Sequence, residues 1–194
     1  MAVEADKSAR IVDAMRTSVA QRGVAGSTFE NVAREAGVSR GLLHYYFGSK
    51  EQLLVEVCRR DCDLRMAVLD EQLSHAQTAE DFVSMLVVAL EDLVREESDF
   101  FTVIFELFML SRRNEEIAAE FAELTRRTRE HVAQVLAAKQ DEGVLRLAGE
   151  PGAVADVLFA LGDGIAMRML AEPGRDWGPT IAAGVAAVRP LLTA

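Results

Sequence analysis

Apolar residues recur along this 194-residue chain at three- and four-residue spacings almost from end to end. That is the period of helices that bury one face, and period-two alternation is scarce. Ile11, Met15 and Val19 mark the inner side of a first helix, expected over about 8–22. Glycines at 23 and 26 break it. Phe29, Val32, Ala33 and Ala36 share a face of a short second helix, which Ser27 and Glu30 are spaced to open as a capping box. Gly37 stops it. Ser39 stands where a cap belongs for a third short helix, about 40–46, and Gly48 ends that one. Ser49 with Gln52 forms a second capping box before a long helix to about residue 73. Five further amphipathic segments follow, marked by Phe82 to Leu93, Phe101 to Met109, Ile117 to Leu136, Val154 to Ile165 and Ile181 to Leu192. The pattern predicts an all-α fold of about nine helices: a three-helix head over residues 1–48 and a helical body over residues 49–194.

Within the head, two short helices meet across a turn of about three residues that contains a glycine. That is a helix-turn-helix pattern. The third helix has two kinds of side chain. Leu42, Leu43 and Phe47 have positions to face inward, while Arg40, His44 and Tyr45 have positions to face outward. Arg40 and His44 are four residues apart and therefore share a face. An arginine can donate two hydrogen bonds to a guanine edge in the major groove. Gly41 leaves room for base edges to approach the backbone. Tyr45 and Tyr46 are stiff rings with a hydroxyl tip, suited to phosphates and sugars. Lys50 at the start of the fourth helix and Thr28 at the start of the second are placed for phosphates, as are the amides of those helix N-termini. With Ser39, these residues form the candidate DNA-binding set.

Charge sharpens this picture. The net charge is −10, yet residues 1–50 carry seven Lys/Arg against five Asp/Glu, and the remainder 14 against 26. A mildly basic head on an acidic body suits one small polyanion-binding face. Cys58 and Cys62 are the only cysteines, and no histidine lies near them in sequence. Neither a zinc site nor any other cofactor is expected, and a reducing cytoplasm is the simplest location. MAVEADKSAR lacks the apolar stretch of a signal peptide. No run has the apolar length of a membrane span.

The segment TFENVAREAGVSRGLLHYYFGSKEQLL, residues 28–54, resembles the DNA-binding signature of the TetR family of transcriptional regulators. The remainder is similar to the family's ligand-binding and dimerisation domain, on the branch with a BetI-like C-terminal domain. The resemblance implies that Thr28, Arg40, Gly41, His44, Tyr45, Tyr46 and Lys50 occupy positions that touch DNA. One departure is visible: His44 stands where the family usually has tyrosine. The resemblance also implies an inducer pocket among the middle helices and repression as the default outcome.

A three-helix head is small, and a two-fold homodimer would present two heads to a palindromic double-stranded operator. The small-residue faces of the last two helices, around Ala153, Val157, Ala160, Ala182 and Ala186, are the expected dimer surface. Phenylalanine and methionine line adaptable apolar pockets. Phe82, Met85, Phe101, Phe105, Met109, Phe121, Phe159 and Met167 are accordingly the apolar candidates for contact with a small-molecule effector. Glu106 and Asp163 interrupt apolar surroundings and are the polar candidates, because a buried charge needs a partner. His44, His75 and His131 lie on separate elements, so no nucleophile–base set of an enzyme is expected. The competing readings are a helical adaptor with a degenerate head and a regulator without a small-molecule ligand.

Overall fold

The computed structural model describes residues 2–96 and 98–193. Among these residues are nine helices: α1 (Ala2–Gly26), α2 (Phe29–Ala36), α3 (Arg40–Phe47), α4 (Lys50–Ser74), α5 (Ala79–Glu96), α6 (Ser98–Ser111), α7 (Glu115–Asp141), α8 (Pro151–Ala171) and α9 (Gly178–Leu192). The all-α expectation is met element by element. The one β-type pairing among the described residues is a single parallel bridge between Arg146 and Thr193.

The chain divides into two compact units. One comprises the residues up to Asp63 together with Asp99–Leu124, and the other comprises Leu64–Ser98 and the residues from Thr125 onward. The long helices α4 and α7 each contribute one part of their length to each unit.

In the first unit, Ile11, Met15 and Val19 of α1 lie against Val32 and Ala36 of α2, Leu43 of α3, and Leu53, Leu54 and Val57 of α4. Val103 and Leu107 of α6 and Ile117 of α7 complete this core. Each side chain comes from the apolar stripe its helix carries, which is why the three- and four-residue spacing was informative. Polar contacts also fasten α1 to its neighbours. The Arg16 guanidinium meets the buried Asp61 carboxylate of α4 at 3.0 Å. Arg10 Nη2 donates to the Ala36 carbonyl at the end of α2, at 2.5 Å. The expected break in α1 falls at Gly23, which has φ 68° and ψ 171°.

The second unit closes around Leu73, Phe82, Val83, Leu136, Leu145, Val154 and Leu192. α5 opens with a reciprocal capping box. The Asp81 amide donates to Thr78 Oγ1 at 3.1 Å, and the Thr78 amide donates to Asp81 Oδ2 at 3.0 Å. The Thr78 hydroxyl and the nearby backbone amides hold the Asp81 carboxyl below the usual carboxylate range. Lys139 is buried, and its ammonium donates to the Ser74 and Ala76 carbonyls, both at 3.4 Å, and to Glu142 at 2.9 Å. It thereby satisfies carbonyls that the end of α4 leaves open. His131 of α7 meets Asp70 of α4 at 2.8 Å.

Candidate nucleic-acid interface

The local sequence builds the helix-turn-helix through its caps. α2 begins at Thr28, whose hydroxyl accepts from the Asn31 amide at 3.2 Å. Ser27, the residue expected to cap, is fully buried and donates its hydroxyl to the Gly23 carbonyl at 2.8 Å. The preceding break claims Ser27, so the cap moves one residue along. α2 ends at Gly37, with φ 65° and ψ 38°. The Val38 amide reaches back to the Ala33 carbonyl at 3.0 Å and the Gly37 amide to that of Arg34 at 3.3 Å. This is a Schellman closure, which needs a left-handed residue at the glycine position.

α3 starts from Ser39, whose backbone is extended and whose side chain makes no capping bond. Leu43 is fully buried, and Leu42, Tyr46 and Phe47 pack against the same core half-buried. Arg40, Gly41, His44 and Tyr45 are exposed, Tyr45 by 78%. An added Cβ at Gly41 would meet nothing within 4 Å. The inward and outward division expected for α3 is therefore present.

The corner between α3 and α4 is a tight turn at Gly48, with φ 69° and ψ −64°. The Ser49 amide donates to the Phe47 carbonyl at 2.7 Å across it, which makes a γ-turn of the rare, positive-φ kind. Ser49 Oγ then accepts from the Gln52 amide at 3.1 Å. Only that half of the expected capping box forms, because the Gln52 side chain donates instead to Glu116 of α7, at 2.6 Å.

Two side chains of the candidate set are anchored in ways the sequence did not signal. The Lys50 ammonium donates to the Val24 carbonyl at 3.0 Å, tying the start of α4 to the end of α1 just past its break. The His44 ring stands edge-on to Phe29 of α2, with centroids 4.8 Å apart, and its Nδ1 lies 3.1 Å from the Gly48 carbonyl. Tyr45 and Tyr46 also meet edge to face, at 5.3 Å. Sequence spacing identified Phe29 only as core, since contacts between helices leave no period along the chain.

The effector-binding candidates fall into two groups. Phe101, Phe105, Glu106, Met109 and Phe121 belong to the first unit. Phe101 is buried with its ring 6.0 Å from that of Phe105, and Phe121 lies 5.8 Å from Phe108. Glu106 is half-buried beside the break in α1, where an added Cβ at Gly23 would come within 3.9 Å of its Oε1. Met109 is exposed. Phe82, Met85, Phe159, Asp163 and Met167 belong to the second unit. Phe82 is buried with Met85 and Phe159 packed on the same core, whereas Met167 is exposed. Asp163 has an exposed residue surface on α8, yet desolvation of its carboxyl raises its pKa above the ordinary value. The two cysteines are buried, and burial, followed by the nearby Cys62 and Asp61, pushes the Cys58 thiol up.

A helix-turn-helix whose second helix packs inward through Leu42, Leu43, Tyr46 and Phe47 and presents Arg40, Gly41, His44 and Tyr45 to solvent defines a DNA-binding transcriptional regulator. The sequence pattern of the bacterial regulatory proteins of the tetR family matches residues 11–57. The pattern of the C-terminal region of BetI-type transcriptional repressors matches residues 79–189, more than half of the chain. The chain belongs to the TetR family, with a C-terminal region of the BetI type. The HTH-type transcriptional regulator BetI of Agrobacterium fabrum is 49% identical over 49 residues, 25% of this chain and 24% of that protein. The chain spans about a quarter to about half the length of the curated relatives it matches. A TetR-family transcriptional regulator from Rhodococcus sp. superposes with a TM-score of 0.79 at 23% identity, covering 97% of this chain and 100% of that one. A transcriptional regulator from Saccharomonospora viridis in complex with choline does so with a TM-score of 0.71 at 24% identity, covering 94% and 93%. At these identities the likeness bears on the fold. No helix among the described residues is long and apolar enough to cross a membrane.

Proposed function

We propose that this regulator is a cytoplasmic, ligand-responsive repressor that binds a palindromic operator as a homodimer and leaves it when a small molecule binds the C-terminal region. Residues 1–48 are the DNA-binding part and residues 49–194 the ligand-binding and dimerisation part. The observation that carries the reading is the exposed edge of α3, with Arg40 and His44 one turn apart on a helix whose opposite side is fixed by Leu43. Arg40 reads base edges, with Gly41 giving clearance. Thr28, Ser39, Tyr45, Tyr46 and Lys50 contact sugar and phosphate and fix the register.

Dimerisation rests on α8 and α9, where Ala153, Val157, Ala160, Ala182 and Ala186 are all exposed on helices of small side chains. The effector acts by preferring one of two dimer states, which changes the separation of the two α3 helices. The candidate residues for contact with it are Phe82, Met85, Phe101, Phe105, Glu106, Met109, Phe121, Phe159, Asp163 and Met167. Choline, the ligand of the Saccharomonospora regulator, is a rational first probe, with a half-buried carboxylate such as Glu106 as its counter-charge.

The test is selection of genomic DNA fragments by the purified protein at near-physiological salt, followed by sequencing and by sedimentation of the bound species. Recovery of one palindrome bound by a two-chain complex supports the reading. Enrichment of no sequence by folded protein sinks it.

A further inference from the structure

The strongest unassigned feature of the α3 face is the state in which His44 is held. A backbone carbonyl only accepts hydrogen bonds, so the 3.1 Å contact between Nδ1 and the Gly48 oxygen requires the proton on Nδ1. The γ-turn at Gly48 aims that oxygen back over the last turn of α3, and the Gly48 amide simultaneously donates to the His44 carbonyl at 3.0 Å. The Phe29 ring also meets the His44 ring edge-on. Two independent contacts, one polar and one aromatic, thus fix both the orientation and the tautomer of an exposed ring. In a neutral imidazole with its proton on Nδ1, Nε2 is a hydrogen-bond acceptor. It is the ring nitrogen not engaged by the Gly48 carbonyl, on an exposed residue that shares a helix face with Arg40.

We infer that His44 is a specificity-determining residue that accepts a hydrogen bond at Nε2 from an exocyclic amino group, and so selects adenine or cytosine on the strand it faces. This rests on the proposal that α3 enters the major groove. There the adenine N6 and cytosine N4 amino groups are the only base-edge hydrogen-bond donors, while guanine and thymine present acceptors. Arg40 presents donors only, so the two residues one turn apart read opposite edge chemistry. A tyrosine hydroxyl at position 44 would both donate and accept and would not impose this selection.

The experiment compares the wild-type protein with His44→Phe and His44→Asn on a panel of operators carrying every single-base change in one half-site. It is run at one fixed pH throughout. His44→Phe keeps the ring against Phe29 and removes both nitrogens. His44→Asn keeps a donor at the place of Nδ1, for the Gly48 carbonyl, and removes the acceptor at the place of Nε2. At one position the wild type is expected to prefer adenine or cytosine over guanine or thymine by roughly three- to tenfold, the scale of one net hydrogen bond. Both variants should flatten that position and leave the others unchanged. Uniform weakening on all operators would make His44 a phosphate contact and overturn the inference. An unchanged profile, or His44→Asn behaving as wild type, would overturn it in favour of a purely structural tie to Gly48. Failure of the wild type itself to prefer any operator would remove the DNA-reading proposal and this inference with it, an outcome visible before any variant is measured.

Discussion

α2 and α3 have eight residues each and each ends on a glycine with positive φ, yet α2 buries Phe29, Val32, Ala33 and Ala36 while α3 buries only Leu43. The caps differ in the same sense. Thr28 caps α2 with its hydroxyl and Gly37 closes it in a Schellman motif, whereas Ser39 makes no side-chain cap and α3 is closed by the Gly48 amide on the His44 carbonyl and a γ-turn from Ser49 to Phe47. One helix spends four side chains fully on the fold, and the other buries one, half-buries Leu42, Tyr46 and Phe47, and keeps Arg40, His44 and Tyr45 in water. A short helix of the second kind is not self-supporting. It is held by Leu43, by the half-buried Leu42, Tyr46 and Phe47 and by its corners, which leaves one edge free to be presented to a partner.

The largest effects should follow from attacking what holds each helix. Leu43→Ala removes the one fully buried side chain of α3 and should cost about 2–5 kcal/mol of stability, measured by denaturant unfolding. A loss no greater than a surface substitution's would mean that α3 is held by its half-buried side chains and its corners alone. Next comes Arg40→Ala, which should leave unfolding unchanged while weakening operator binding by about 1–3 kcal/mol, with relaxed preference at one base pair. Equal loss on every sequence would reassign Arg40 to the phosphates. The caps sharpen the contrast further. Thr28→Ala should lower stability by about 1 kcal/mol, and Ser39→Ala by only a few tenths, in thermal unfolding of the free protein. Equal costs would contradict the difference in capping. The smallest effect is expected of Tyr45→Ala, within about 0.5 kcal/mol in stability because the ring is mostly in solvent. A larger loss would show that its edge contact with Tyr46 supports the helix.

The helices were legible in the sequence because each carries its apolar stripe at a fixed period, and the positive-φ glycines at 37 and 48 fall where breaks were expected. The division of α3 into Leu43 inside and Arg40 outside was legible for the same reason. The cap of α2 was misplaced by one residue, because Ser27 and Thr28 are adjacent hydroxyls and only the fold shows that Gly23 takes the first. The capping box at Thr78 and Asp81 carried a signal in its spacing, but it begins the following helix at a point where the apolar face alone was read. The anchoring of Lys50 to Val24 and of His44 to Phe29 and Gly48 had no signal of any kind. Those contacts join residues on different elements, or a ring to a carbonyl whose direction is set by one unusual turn.

Gly41 is exposed in the first turn of α3, with open space where a side chain would begin. A methyl group there would cost the free protein nothing in packing and would favour the helix by up to about 1 kcal/mol. Under the proposed reading it would also stand where a base pair must come close. A laboratory selection for heat resistance alone would therefore reward alanine at this position, and a selection for gene control would reject it. The glycine is a small surrender of robustness, and its retention would report which of the two demands the protein has answered to.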